Sequence, residues 1–258
     1  DPEYSITQTP LNEQDLKTMS EAVEVLRQFK GFSYFTEMSD IINRLEDHVA
    51  SARMKTTPVI DFEKNESLKG LDYLDTIYHA IVNEHPIQLK YRSFNARSAN
   101  SFIFYPYLLK EYRNRWFVYG VRGNGRILQN LALDRIQSLE VLPQEHYIKN
   151  TFFDPNTFFD DRVGVTKNSG SVAEKVGFKV AAAEAPYIIT KPIHRSQQLV
   201  ERLPDGSVIL EIEVVINHEL ERVFFGYVDG IEILYPKTLV ELMSRKLEKA
   251  AKQYTKSK

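Results

Sequence analysis

At 258 residues the chain is long enough for a sizeable core and two domains, and its 43% hydrophobic and 26% charged residues are those of a globular protein. Cysteine is absent, which excludes disulfides, thiolate nucleophiles and sulfur-ligated zinc and fits a reducing cytoplasm, the expected location. The net charge of −2 hides an asymmetry, since residues 1–85 carry 8 Lys+Arg against 16 Asp+Glu and residues 86–143 carry 9 against 3.

One middle segment is therefore basic inside an acidic chain, and an anion-binding surface is expected there. No apolar run reaches the length of a membrane span, and no signal peptide is visible. The chain begins at Asp1 without a methionine, so it is expected to be a piece of a longer protein.

Residues 1–10 read as an extended arm. Asn12 is an N-cap, and Leu16, Met19, Val23, Leu26 and Phe29 at helical spacing predict a helix over 13–29. A second helix is predicted over 37–53, with Met38, Ile41, Leu45, Val49 and Ala52 on its apolar face. Residues 54–70 read as a loop with a short extended piece at Val59 to Phe62. A third helix, Leu71 to Glu84, ends at His85-Pro86, where proline discourages continuation.

From Ile87 the period changes to two. Strands are predicted at Ile87 to Phe94, Ser101 to Glu111 (bent at Pro106), Arg115 to Arg122, Arg126 to Ala132 and Arg135 to Leu142. Gly123-Asn124-Gly125 supplies the positive φ angles of a hairpin turn. Five short strands behind a helix predict a small, strongly bent barrel of the SH3-like or Sm-like kind. Its third strand carries Trp116, the only tryptophan, between Arg113 and Arg115 on one side and Arg122 and Arg126 on the other. Arginines beside aromatic rings suit a polyanion with π-faces, such as single-stranded nucleic acid or a nucleotide; an amphipathic hairpin with a solvated basic face gives the same pattern.

Residues 143–176 are irregular, with Phe-Phe-Asp at 152–154 and again at 158–160, read as aromatic residues pinning a linker onto the barrel. Asp154, Asp160 and Asp161 lack histidine or glutamate at metal-ligand spacing. Asn168-Ser169-Gly170-Ser171 reads as a turn. Strands then follow at Phe178 to Ala183, Ile193 to Arg202, Val208 to Ile216 and Ile231 to Tyr235, with a helical turn at Pro186 to Thr190, a short helix at His218 to Gly226 and a long one from Lys237 to about Tyr254. This β-α-β-β-α-β order with a closing helix is the ferredoxin-like split arrangement. The terminal lysines, Lys246 to Lys258, suit the negative end of a helix.

No phosphate-binding glycine loop, nucleophile elbow, H-E-x-x-H pair or EF-hand loop occurs. The six histidines (His48, His79, His85, His146, His194, His218) are scattered singly. The chain is read as a non-enzymatic protein without cofactor or metal.

The segment around Trp116-Phe117-Val118 resembles the WYL domain of bacterial transcriptional regulators. A helix leads into the strand holding Tyr91, followed by Tyr105-Pro106-Tyr107-Leu108, like the family's Pro-x-x-Leu, and by Leu133-Asp134-Arg135-Ile136, like its Leu-Asp-Arg-Ile. Val208 to Ile216, Phe225-Gly226-Tyr227, Ile233-Leu234-Tyr235-Pro236 and the closing helix resemble the C-terminal extension domain often paired with it. The resemblance implies an effector-sensing and dimerisation region. Such a region binds single-stranded nucleic acid or a nucleotide on the barrel, and meets duplex DNA through a winged helix that this chain does not include. It carries over to Tyr91, Arg92, Trp116, Tyr119, Arg122 and Arg135, with Arg97, Arg113 and Arg126 at loop or hairpin ends. Trp116 and Phe117 point to opposite faces of their strand, so at least one belongs to the core. Gln129 stands where the family often has arginine.

The expected architecture is thus α+β: a helical segment over 1–70, an Sm-like barrel over 71–145, a linker over 146–176 and a ferredoxin-like domain over 177–258, assembled as a homodimer. The rival readings are a structural dimerisation module whose basic patch contacts acidic protein surface, and an Sm-like RNA-binding protein. For Asp134-Arg135, a local ion pair that closes the barrel is the alternative to ligand contact.

Overall fold

The structure, a computed structural model, describes residues 69–125, 127–167 and 170–255. The predicted helices at 13–29 and 37–53, the arm before them, Arg126 and the Asn168-Ser169 half of the predicted turn lie outside the described residues. The chain divides into two compact units, Asp1–Asn150 and Thr151–Lys258.

In the first unit a 3-10 turn (Leu71–Tyr73) runs into helix α1 (Leu74–Val82). Leu71, Leu74, Ile77 and Ala80 recur at a three-residue step and form its buried stripe. The helix stops because Glu84 turns left-handed (φ 52) and the His85 N–H bonds back to the Ala80 carbonyl at 2.8 Å, with Pro86 next.

Strand β1 (Ile87–Tyr91) buries Ile87, Leu89 and Tyr91. Strand β2 (Asn100–Tyr112) pairs with β1 through its first half and with β3 (Arg115–Arg122) through its second. The register slips between Pro106 and Leu108, where proline, lacking an N–H, costs the ladder nothing and the strand can bend. The β2–β3 turn is Arg113-Asn114, with φ of 51 and 61, the two-residue geometry that matches strand twist. Strand β4 (Leu128–Ala132), a 3-10 turn (Leu133–Arg135) and β5 (Ile136–Val141) complete the unit.

The sheet order is β4-β3-β2-β1-β5. Edge strands of a flat sheet of this order stand about 19 Å apart. The four Cα steps from Ala132 to Ile136 reach at most about 15 Å, so the sheet is strongly curled. Among the described residues β4 and β5 do not pair, so no barrel closes, which corrects the closed form expected from sequence. Leu133–Arg135 form a turn instead of a strand, and the Arg135 carbonyl accepts the Arg92 N–H at 3.1 Å. Gly70 (φ 83) lies so close to this turn that a Cβ there would meet the Leu133 carbonyl carbon at 2.3 Å.

The second unit holds β6 (Glu174–Val180), α2 (Ala185–Thr190), β7 (Gln198–Arg202), β8 (Val208–Val214), α3 (His218–Phe225), β9 (Ile231–Tyr235) and α4 (Lys237–Thr255). Its four strands are antiparallel in the order β7-β8-β6-β9. Alternate residues Val208, Leu210, Ile212 and Val214 meet Phe178, Ile188, Leu220, Phe224, Leu239 and Met243 in the core. Strand β7 begins five residues later than predicted, because Gln197 closes a turn by accepting the Ile193 N–H at 3.0 Å and donating to the Ile188 carbonyl at 2.9 Å.

Part of the predicted linker is built into this second unit. The Asp161 carbonyl accepts the Val215 N–H, and the Asn217 side chain donates to the Val163 and Thr166 carbonyls at 2.9 Å each. Arg162, 4% exposed, lies 4.2 Å from the Phe158 ring centroid and pairs with Asp161 at 2.7 Å. Asp160 pairs with Arg195 at 2.7 Å and Asp154 accepts the Asn156 N–H at 2.9 Å, so each of the three aspartates has a partner. No group of three or more metal-ligating side chains occurs among the described residues.

Candidate functional site

Where β1 ends, Tyr91 turns inward and Arg92 begins an eight-residue loop. Two hydrogen bonds shape that loop: the Ala96 N–H donates to the Ser93 carbonyl at 3.0 Å, and Arg92 Nε donates to the Ala96 carbonyl at 3.4 Å. Together they leave Phe94 projecting, 69% exposed. Arg135, from the 3-10 turn, places its guanidinium carbon 4.4 Å from the Phe94 ring centroid.

Between these residues lies a cleft of about 310 Å³, lined by Arg92, Ser93, Phe94, Asp134, Arg135, Ile136 and Gln137. Its charge is two arginines against one aspartate. Asp134 Oδ2 stands 3.4 Å from Arg115 Nε, and its Oδ1 stands 3.9 Å from Arg135 Nε. Burial raises the Tyr91 phenol above its ordinary value, while the Arg135 guanidinium beside it pulls the other way, so Tyr91 remains a neutral donor. A cation held on one face of an otherwise exposed ring offers stacking and charge together, the combination that binds bases and phosphates.

Of the sequence candidates, Arg92 and Arg135 line this cleft, and Tyr91 is buried beside Arg135. Arg122 stands at the far end of β3 from Arg115, with its guanidinium 4.1 Å from the Phe102 ring. Seven residues of extended strand separate those ends by about 23 Å. Arg113 sits in the β2–β3 turn, 5.5 Å from the Tyr112 ring, and Arg97 is exposed in the loop after β1. Tyr119 is 3% exposed, and Trp116 is half-buried against the core of the first unit. Arg126 lies outside the described residues.

Sequence reasoning missed Phe94, Ser93 and Gln137. Phe94 was absorbed into the first strand as its last residue. The Ser-Phe-Asn triplet was the available signal, since its polar flanks favour a turn and leave a large aromatic residue with no core to enter.

Residues 72–141 match the WYL domain and residues 173–251 match the WCX domain. No curated protein matches the sequence. Among solved structures, the proteasome accessory factor B/C (PafBC) of Arthrobacter aurescens is similar at 17% identity and a TM-score of 0.30, over 74% of this chain and 28% of that one. The chain thus spans well under a third of that protein. A CRISPR Cas-related protein is similar at 12% identity and a TM-score of 0.47, over 99% of this chain and 90% of that one. The chain thus carries a WYL domain followed by a WCX domain.

Proposed function

We propose that this chain is the effector-sensing region of a bacterial transcriptional regulator, and that its WYL domain binds single-stranded nucleic acid or a nucleotide in the Phe94–Arg135 cleft. The observation that carries this is Phe94, a large aromatic side chain left 69% exposed beneath a guanidinium, beside a second arginine and in the basic segment of an acidic chain. Finer points of the fold belong to the same reading. The curled sheet is an Sm-like fold left open, and the second unit's β-α-β-β-α-β order is the ferredoxin-like one.

The region works without catalysis, in the cytoplasm, as a homodimer whose duplex-DNA contacts come from a winged helix outside this chain. Ligand binding then changes how paired winged helices meet their operator. No helix of the described residues is long and apolar enough to cross a membrane. A structural module without ligand is the second reading, favoured by Asp134, which already lies against both Arg115 and Arg135.

Fluorescence anisotropy with a labelled oligothymidylate tests the choice. Phe94→Ala removes a stacking platform worth about 1–3 kcal/mol and should weaken binding about 5- to 150-fold, with Arg135→Ala at least as severe. Phe94→Ala should not move the thermal midpoint by more than a degree or two, because Phe94 buries little. A wild-type protein that leaves the oligonucleotide unbound would favour the structural module.

A further inference from the structure

We propose that Asp134 is a built-in counter-ion shared between Arg115 and Arg135, and that Arg115, outside the cleft, sets phosphate affinity by holding Asp134 off Arg135. The inference rests on the reading of the cleft as a phosphate-binding site. Its physical basis is the uneven division of one carboxylate. Asp134 stands nearer Arg115 (3.4 Å) than Arg135 (3.9 Å). Asp134 Oδ1 and Arg135 Nε are both cut off from solvent, yet neither makes a hydrogen bond. The separation of 3.9 Å exceeds hydrogen-bond length, so Arg135 is attracted but not bonded.

Arg135 thereby keeps most of its capacity for an incoming anion, while its guanidinium rests over the Phe94 ring. Arg115 stands outside the cleft lining with its side chain 48% exposed, against 15% for Asp134. It is free to draw the carboxylate outward. If Arg115 is removed, nothing competes for Asp134, which closes on Arg135 and occupies the place of a ligand phosphate. If the Asp134 charge is removed, both arginines are released to the ligand. Arg115 is thus a positioning residue acting through Asp134.

The two changes are expected to act in opposite directions on the binding of a fluorescein-labelled oligothymidylate of about a dozen nucleotides. Asp134→Asn should tighten binding about tenfold at low salt, as expected for deleting one poorly screened charge a few ångströms from a phosphate. Arg115→Gln should weaken binding. The decisive measurement is the double-mutant cycle: in an Asp134→Asn background, Arg115→Gln should lose most of its effect.

A long-range charge effect would instead weaken both backgrounds equally, and that result would overturn the proposal. So would Asp134→Asn binding no tighter than wild type while its thermal midpoint is unchanged, the outcome expected if Asp134 only closes the sheet. Should Asp134→Asn fail to fold, Asp134→Ser carries the same test. Failure of the wild type itself to bind would strike the cleft reading, and is distinct from either result.

Discussion

At the scale of single residues, an aromatic side chain's role was set by what its neighbours left uncovered, and sequence records that poorly. Trp116 and Tyr119 stood out as candidates by type, yet one packs against the core and the other is almost fully buried. Arg92 and Arg135, both candidates through the family resemblance, line the cleft. Phe94 was not legible, because its exposure depends on two loop hydrogen bonds that no periodicity announces. The same limit applies to His194 in the second unit, which sequence left among scattered histidines. It is 9% exposed, its Nδ1 accepts the Ser196 N–H at 3.2 Å, and burial and Arg195 hold it below its ordinary 6.5. The unfolded chain therefore takes up a proton near pH 6.5 that the folded chain refuses, so stability is complete above that pH and declines as the pH falls below it. Asp160 and Asp161 also face His194 and temper the shift without reversing it. Asp161 is itself held below the ordinary 3.8, where burial is outweighed by its Lys167 and Arg162 hydrogen bonds, so its loss comes only at far lower pH. Thermal unfolding followed from pH 8 to 5.5 should show a falling midpoint, and His194→Asn should flatten that slope. An equal slope in both proteins would show that another group titrates.

At the scale of elements, the strands were readable because burial on one face imposes a period of two. Both the β3 bounds and the bend of β2 at Pro106 are those expected from sequence. Barrel closure was not readable, since it depends on whether β4 and β5 reach hydrogen-bonding distance across three residues that make a turn. The β2–β3 turn lies in the gap expected between Glu111 and Arg115, but its tight two-residue form was not readable. Arg113-Asn114 lacks the glycine that marks such turns, and Asn114 tolerates φ 61 as asparagine often does, its N–H bonded to the Glu111 carboxylate. Helix α3 shows what one capping residue contributes. Asn217 accepts the Leu220 N–H at 2.9 Å while its amide donates to the carbonyls of Val163 and Thr166, so it joins the helix start to the preceding segment. Asn217→Ala loses the cap and leaves the buried Val163 carbonyl and the partly buried Thr166 carbonyl without their donor, a cost of about 2–4 kcal/mol from the cap and the two lost bonds. Asn217→Asp keeps the cap alone and should fall between alanine and wild type. Chemical denaturation resolves the order, and an alanine variant as stable as wild type would mean that the 160–167 segment holds itself in place.

At the scale of the whole molecule, two cores serve two sheets, and neither sheet draws a strand from across the division at Asn150 and Thr151. The charge distribution carries a separate consequence. With a sequence pI of about 6.4 the chain is net negative at pH 7.5, so its overall field opposes a polyanion. Binding of single-stranded DNA must then come from local contacts, and the cations placed for it are few: Arg92 and Arg135 at the cleft, with Arg97 on the same loop. Each phosphate neutralised on a single strand contributes about −0.7 to the slope of log K against log salt, so three contacts predict a slope near −2. A diffuse basic surface drawing on all nine cations of residues 86–143 would instead approach about −6. Anisotropy titrations at several salt concentrations separate the two, and Arg135→Gln should make the slope shallower by about 0.7 as well as weakening binding. A steep slope that Arg135→Gln leaves unchanged would move the nucleic acid out of the Phe94 cleft and onto the wider basic face, where Arg122 and Arg113 would become the residues to test.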